Sequence, residues 1–276
     1  MKGVGGSYEV CADGVTYTCS AKGIFRNRRQ SPMIGDNVEF EILSERDREG
    51  NVSKILERSN TLKRPKVANI DQALIVFSII RPAINLDLLD RFLVLSEKEG
   101  VDAVVVLNKS DICDVNESKR LRDMYEDIGY RVIVVSAVTR DGVEELAEQL
   151  RGKVSVLAGP SGVGKSSIVN CVSHRDMETG ELSRKIERGK HTTRHAELIR
   201  IDDDTFIVDS PGFTALTMDE LVQGEIDRYF REFRPFLGEC RFNDCRHLHE
   251  PECAVKAQVG HSISIERYER YKSLNV

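Results

Sequence analysis

Eight residues constrain the fold most: Gly159-Pro160-Ser161-Gly162-Val163-Gly164-Lys165-Ser166 fit the phosphate-loop pattern G-x-x-x-x-G-K-[ST] at every fixed position. That pattern works only between a β-strand and a helix, where successive backbone N–H groups turn inward around phosphate. Both neighbours are legible. Lys153-Val154-Ser155-Val156-Leu157-Ala158 reads as a buried strand, and Lys165 to Val172 reads as a helix whose N-terminus faces the anion. Lys165 is placed to reach the β and γ phosphates, and the Ser166 hydroxyl to ligate Mg²⁺. A Gly-rich turn that matched by chance would lack this context. We therefore expect a nucleoside triphosphate here.

Around the loop, strands and helices alternate. Ala73 to Ile80, Val101 to Leu107 and Tyr130 to Val135 read as strands, and Leu86 to Glu99, Glu117 to Ile128 and Val143 to Leu150 as helices. Two further strands, Glu197 to Ile201 and Thr205 to Val208, flank the acidic turn Asp202-Asp203-Asp204. Such alternation predicts a mostly parallel sheet covered by helices, with ligands at the carboxyl ends of its strands. A short helical stretch is expected from Asp219 to Phe233 and a closing helix from Ile263 to Leu274.

Residues 1–66 differ. Ser7-Tyr8-Glu9-Val10, Val15-Thr16-Tyr17-Thr18-Cys19 and Asn37 to Ile42 alternate with period two, so a small β-barrel of the oligonucleotide-binding (OB) type is expected. This segment carries 12 Lys/Arg against 9 Asp/Glu in a chain whose net charge is −5. Arg26, Arg28 and Arg29 cluster beside Phe25, which suits either a solvated loop or an oligonucleotide contact. Because the whole chain is acidic, any nucleic-acid contact must come from local patches.

Asn108-Lys109-Ser110-Asp111 follows a buried strand and fits N-K-x-D. The Asp carboxylate accepts from guanine N1–H and the 2-amino group, the Asn braces the loop, and the Lys stem covers the base. Adenine offers no such donor pair. Ser136-Ala137 follows one strand–helix unit later, where a backbone N–H would meet guanine O6. Asp111 as a plain helix cap is the competing reading. Asp209-x-x-Gly212 supplies the rest of the phosphate machinery, with Asp209 on Mg²⁺ through water and the Gly212 N–H on the γ-phosphate. Gly189-Lys190-His191-Thr192-Thr193 lies where a switch threonine belongs; Thr193 is the expected Mg²⁺ ligand, with Thr192 as the alternative. Residues 183–200 hold six basic and two acidic groups, and a long polar stretch with no strand or helix pattern suits a mobile switch loop. The residue after Gly212 is Phe213, which cannot orient water where a Ras-like protein has Gln. Catalysis then needs another group or a partner. His191 is the candidate, and an RNA-facing role is its alternative.

The order is unusual. The guanine-reading motifs precede the phosphate loop, whereas Ras-like proteins have the reverse. That is a circular permutation, and it makes Asp209 to Gly212 the covalent root of the C-terminal module.

Of the seven cysteines, Cys240, Cys245 and Cys253 cluster with His247 in the spacing Cys-x4-Cys-x-His-x5-Cys. Three thiolates and one imidazole are a donor set that suits one structural, tetrahedral Zn²⁺. His249 could replace His247. Arg241 and Arg246 would project from such a knuckle toward RNA. No apolar run reaches the ~18 residues of a membrane span and the N-terminus lacks an apolar signal core, so a cytoplasmic protein with reduced thiols is expected.

These features together resemble the ribosome small-subunit-dependent GTPase A family of bacteria over almost the entire chain. The resemblance rests on the permuted order, Gly159 to Ser167, Gly189 to Thr193, Asp209 to Gly212 and the Cys/His spacing. It implies an α/β protein: a circularly permuted P-loop GTPase domain (67–215) between an N-terminal OB-type β-barrel (1–66) and a small, mostly helical zinc-binding domain (216–276). It implies GTP and GDP as substrate and product, Mg²⁺, late maturation of the 30S subunit through 16S rRNA, and hydrolysis stimulated by that subunit. Expected catalytic groups are Lys165, Thr193 and His191. Ser167 joins the nucleotide-binding set, and a monomer with no membrane partner is expected. Two rivals stay open. A P-loop kinase would need neither N-K-x-D nor the knuckle, and guanine preference separates it. A nucleic-acid-binding module with a structural nucleotide would show no turnover.

Overall fold

A computed structural model describes residues 3–4, 7–21, 32–62, 66–173, 197–209 and 225–275. Its main sheet has six strands: β8 (Gln72–Ser78), β9 (Asp102–Asn108), β10 (Arg131–Val134), β11 (Val154–Ala158), β12 (Glu197–Arg200) and β13 (Phe206–Asp209). Their order is β10-β9-β8-β11-β13-β12, all parallel except β12, which pairs antiparallel with β13. Helices α1 (Leu86–Glu99), α2 (Val115–Glu126), α3 (Val143–Leu150) and α4 (Lys165–Ser173) connect the strands.

Every residue of β8 is buried, which explains its uninterrupted apolar run. Successive strand residues point to opposite faces, and two cores form accordingly. Ala73, Ile75 and Phe77 pack with Leu89, Phe92 and Leu93 of α1 and with Leu121 and Tyr125 of α2. Leu74 and Val76 pack on the other face with Val143 and Leu146 of α3 and Ile168, Val169 and Val172 of α4. Helix α2 begins two residues before the expected Glu117, because the Asp114 side chain accepts from the Asn116 N–H and caps it.

Before this sheet lies a five-stranded one: β1 (Gly3–Val4), β2 (Ser7–Ala12), β3 (Val15–Ala21), β4 (Val38–Ser44) and β5 (Glu49–Ile55). Its order is β1-β2-β3-β5-β4, with β3 and β5 parallel across a crossover. The core is small, built on Val10, Cys19 and Val52, with the Tyr17 and Phe40 rings packed at a tilt, their centroids 5.2 Å apart. Strand β5 escaped the sequence reading, since Glu49-Gly50-Asn51-Val52 offers one apolar residue in four. A short ladder, β6 (Thr61–Leu62) with β7 (Val67–Ala68), joins the two sheets. Asn60 fixes it by exchanging two hydrogen bonds with the Ile70 backbone, at 2.7 and 2.9 Å.

The C-terminal part contains two 3-10 turns (Ile226–Tyr229 and Arg231–Phe236), α5 (Ala254–Ala257) and α6 (Ile265–Leu274). The single helical stretch expected over 219–233 is corrected here to two 3-10 turns separated at Phe230, which adopts an extended conformation. Pro235 in the second turn cannot donate to a helix ladder. Residues 219–224 lie outside the described residues. Phe230, Phe233, Tyr268 and Tyr271 form a third core with Val94 and Leu95, so α1 is shared by this core and the first. Beneath it, Asp90 is fully buried and ion-paired with Arg267 and Arg270, while accepting from the Tyr125 hydroxyl at 2.9 Å. Glu232 completes the group by pairing with Arg267 at 2.7 Å. No helix among the described residues is long and apolar enough to cross a membrane.

Candidate nucleotide and metal sites

Strand β11 delivers the phosphate loop to the carboxyl edge of the sheet, between β8 and β13. The loop's glycines are required by geometry. Gly159 has φ +128° and a Cβ there would collide with the Val76 carbonyl; Gly164 has φ +96° and a Cβ would strike the Asn108 amide. Lys165 opens α4 and folds back to donate to the carbonyls of Gly159 and Pro160, at 2.8 and 2.7 Å. Burial lowers the pKa of this ammonium, and nearby Asp209 pulls it back up. A half-buried cation resting on two loop carbonyls at the N-terminus of α4 suits a phosphate anion. Ser161, Ser166 and Ser167 are exposed at the loop, while Val163 is buried beneath it. The exposed Ser166 hydroxyl and Asp209, at the end of β13, are oxygen donors of the kind Mg²⁺ takes.

Asn108 to Asp111 and Ser136-Ala137, expected from sequence to read guanine, converge on the same edge. Asn108 ends β9, and its amide donates to the Val163 carbonyl at 2.8 Å. Its carbonyl oxygen accepts from the Ala137 N–H at 3.3 Å. Lys109, in the left-handed region at φ +65°, donates to the Gly162 carbonyl at 2.9 Å and to that of Arg81. Asp111 accepts from the Ser136 hydroxyl at 2.6 Å, and the Ser136 oxygen accepts in turn from the N–H groups of Val138 and Thr139. The competing reading of Asp111 as cap of the next helix does not hold, because Asp114 has that role. His191, Thr192, Thr193, Gly212 and Phe213 lie outside the described residues, as do Gly189, Lys190 and the cluster Phe25, Arg26, Arg28 and Arg29.

A second site gathers Cys240, Cys245, His247 and Cys253, whose donor atoms all lie within 4.8 Å of one another. His247 Nδ1 is 3.5 Å from the sulfurs of Cys240 and Cys245 and 3.3 Å from that of Cys253. This is a closed S₃N donor set, the chemistry that fits a structural zinc ion. His249 is exposed and outside the group. The sequence reading missed two supports. Asp227 lies 3.4 Å from His247 Nε2, the outer-shell carboxylate that orients a ligating imidazole. Glu250 gathers the N–H groups of Arg246, Leu248 and His249 at 2.8–3.1 Å. Burial disfavours the Glu250 carboxylate, but these N–H groups outweigh it and hold its pKa down at about 2. Its position three residues past His247 was visible, but only the folded loop shows which way it points. Arg241 and Arg246 are exposed at the rim of the knuckle.

Two family models match the chain: "RsgA N-terminal domain" over residues 1–52 and "RsgA GTPase" over residues 55–219. A small ribosomal subunit biogenesis GTPase RsgA from Alkaliphilus metalliredigens is 43% identical over 273 residues, covering 98% of this chain and 94% of the relative. The protein of that name from Caldanaerobacter subterraneus is 44% identical, covering 99% and 92%. Among solved structures, YjeQ from Thermotoga maritima superposes with TM-score 0.81 at 35% identity, covering 98% of this chain and 92% of that one. YloQ, described as a circularly permuted GTPase, gives TM-score 0.81 at 33% identity and covers 99% and 91%.

Proposed function

The chain belongs to the RsgA GTPase family, and we propose a residue-level account of how it binds GTP and acts in small ribosomal subunit biogenesis. It is a GTPase of circularly permuted fold. The observation that carries the account is the convergence of three segments far apart in sequence, 108–111, 136–137 and 159–167, on one sheet edge.

Guanine lies against Asn108 to Asp111 and the Ala137 N–H, its triphosphate within Gly159 to Ser167 and against Lys165. Ser166, Thr193 and Asp209 would hold Mg²⁺, which when bound would supply positive charge to offset that of the phosphates. Gly212 presents its N–H to the γ-phosphate. His191 orients the attacking water, because Phe213 stands where a water-orienting Gln would be. Lys165 and Thr193 complete the catalytic set. One Zn²⁺ held by Cys240, Cys245, His247 and Cys253 fixes the C-terminal knuckle.

The protein works in the cytoplasm as a monomer. It binds the 30S subunit late in maturation through 16S rRNA, using the N-terminal barrel and the arginines of the knuckle, and leaves after hydrolysis. The domain limits are 1–66, 67–215 and 216–276. The test is sedimentation with purified 30S or 50S subunits, with either a non-hydrolysable GTP analogue or GDP, followed by footprinting of the rRNA. Retention on 30S with the analogue and protection of 16S rRNA is expected. Equal retention on 50S, or none on either, would refute the partner. Metal analysis should find one zinc per chain, lost in Cys240→Ser; a full metal-free chain would refute the zinc.

A further inference from the structure

The loop after β10 is clasped to α4, the helix whose first residue is Lys165. Arg140 donates from Nη2 to the carbonyl of Cys171 at 3.1 Å. The Cys171 thiol donates to the carbonyl of Ala137 at 3.3 Å, which closes the circuit back onto the loop. Arg140 itself holds a left-handed conformation at φ +69°, with its N–H on the Ser136 carbonyl at 2.8 Å.

The chemistry favours each contact. Cys171 lies in α4, and its backbone carbonyl accepts from a charged guanidinium, the stronger kind of hydrogen bond. The thiol is a weak donor, but the Ala137 carbonyl belongs to the peptide next to the one whose N–H faces the guanine pocket. Each is a modest interaction across 31 or 34 positions of sequence, and both act on residues 136–140.

We infer that Arg140 and Cys171 are positioning residues for guanine recognition: they set the direction of the Ala137 N–H toward guanine O6. Neither touches the nucleotide. The inference deepens the proposed function and rests on its reading that Ala137 meets O6. The Ala137 N–H has a long contact of 3.3 Å to Asn108, so that side chain alone fixes it loosely. The clasp supplies the remaining restraint, and it couples the guanine loop to the helix that binds phosphate.

The test uses two nucleotides on the full-length protein. GTP has O6; 6-thioguanosine triphosphate keeps the N1–H and 2-amino group read by Asp111 but offers only a weak sulfur acceptor at that position. Wild type should prefer GTP. Arg140→Ala and Cys171→Ala should each lose about three- to tenfold in GTP affinity, the scale of one hydrogen bond, with the thio analogue nearly unchanged. Cys171→Ser, which keeps a donor, should restore the preference. Thermal unfolding of each variant reports folding separately; Arg140 is exposed, so its variant should fold. Equal losses for both nucleotides would reduce the clasp to a general structural contact and overturn the inference, as would no loss for either. If wild type itself failed to prefer GTP, the assignment of O6 to Ala137 would fail first, and the inference with it.

Discussion

The Asn108 side chain donates to the Val163 carbonyl at 2.8 Å across 55 positions of sequence, tying the N-K-x-D strand end to the phosphate loop. One buried amide thus holds both halves of the nucleotide site in register. It also explains why Gly164, directly after Val163, has no room for a side chain.

Gly164→Ala should therefore disable binding without unfolding the protein. The new Cβ meets the Asn108 amide and must sit at positive φ, which costs an L-residue about 1–2 kcal/mol before any clash. Affinity for GDP and GTP should fall at least tenfold, measured by titration with a fluorescent guanine nucleotide. Wild-type affinity in this variant would contradict the packing described.

Asp111→Asn should exchange guanine for xanthine preference. Guanine presents N1–H and the 2-amino group as donors, whereas xanthine presents a carbonyl at C2 that an amide can satisfy. The asparagine can still accept from the Ser136 hydroxyl, now 2.6 Å from Asp111, so the loop should persist. Competition between GTP and XTP checks this, and an unchanged ratio would refute the role of Asp111.

Asp90→Ala should lower stability by roughly 3–5 kcal/mol, because it removes the buried carboxylate shared by two cations, leaving Arg267 with Glu232 alone and Arg270 with only the longer pair to Glu266. Removing Lys54 from its exposed pair with Glu39 should change little, within about 0.5 kcal/mol. Urea unfolding of the two variants gives the comparison. Similar small shifts would mean that water reaches the Asp90 group.

Glu250 gives a pH signature. Its folded pKa of about 2 lies below its ordinary value, so its stabilisation is full above that ordinary carboxylate range and is lost as pH falls toward 2. Glu250→Gln should therefore be less stable than wild type at pH 7, with the gap closing progressively below about pH 4.5. Thiolate protonation affects both proteins alike, so the difference between their unfolding curves isolates Glu250. A gap that does not vary with pH would contradict the assigned hydrogen bonds.

Much of this architecture is legible in short contiguous patterns. The phosphate loop, Asn108 to Asp111 and the Cys/His spacing each encode their function within a few residues, because each is a turn or strand end whose backbone geometry is local. Strand β8 was equally clear, being buried on both faces. What stayed hidden depends on distant partners. Nothing near Asp90 announces that it will meet Arg270, 180 positions later. Asp227 reads as one more acid until the knuckle folds against it and brings His247 within 3.4 Å. The turns at 226–236 carry the apolar spacing of a helix, yet Phe230 turns extended to join the third core.

The most direct test of the account is GTP hydrolysis by the purified protein, alone and with 30S or 50S subunits added in equal amounts. The absent glutamine at Phe213 predicts slow turnover by the isolated chain and strong stimulation by 30S alone. Fast turnover without any subunit, or the same stimulation by 50S, would contradict a site completed by the small subunit.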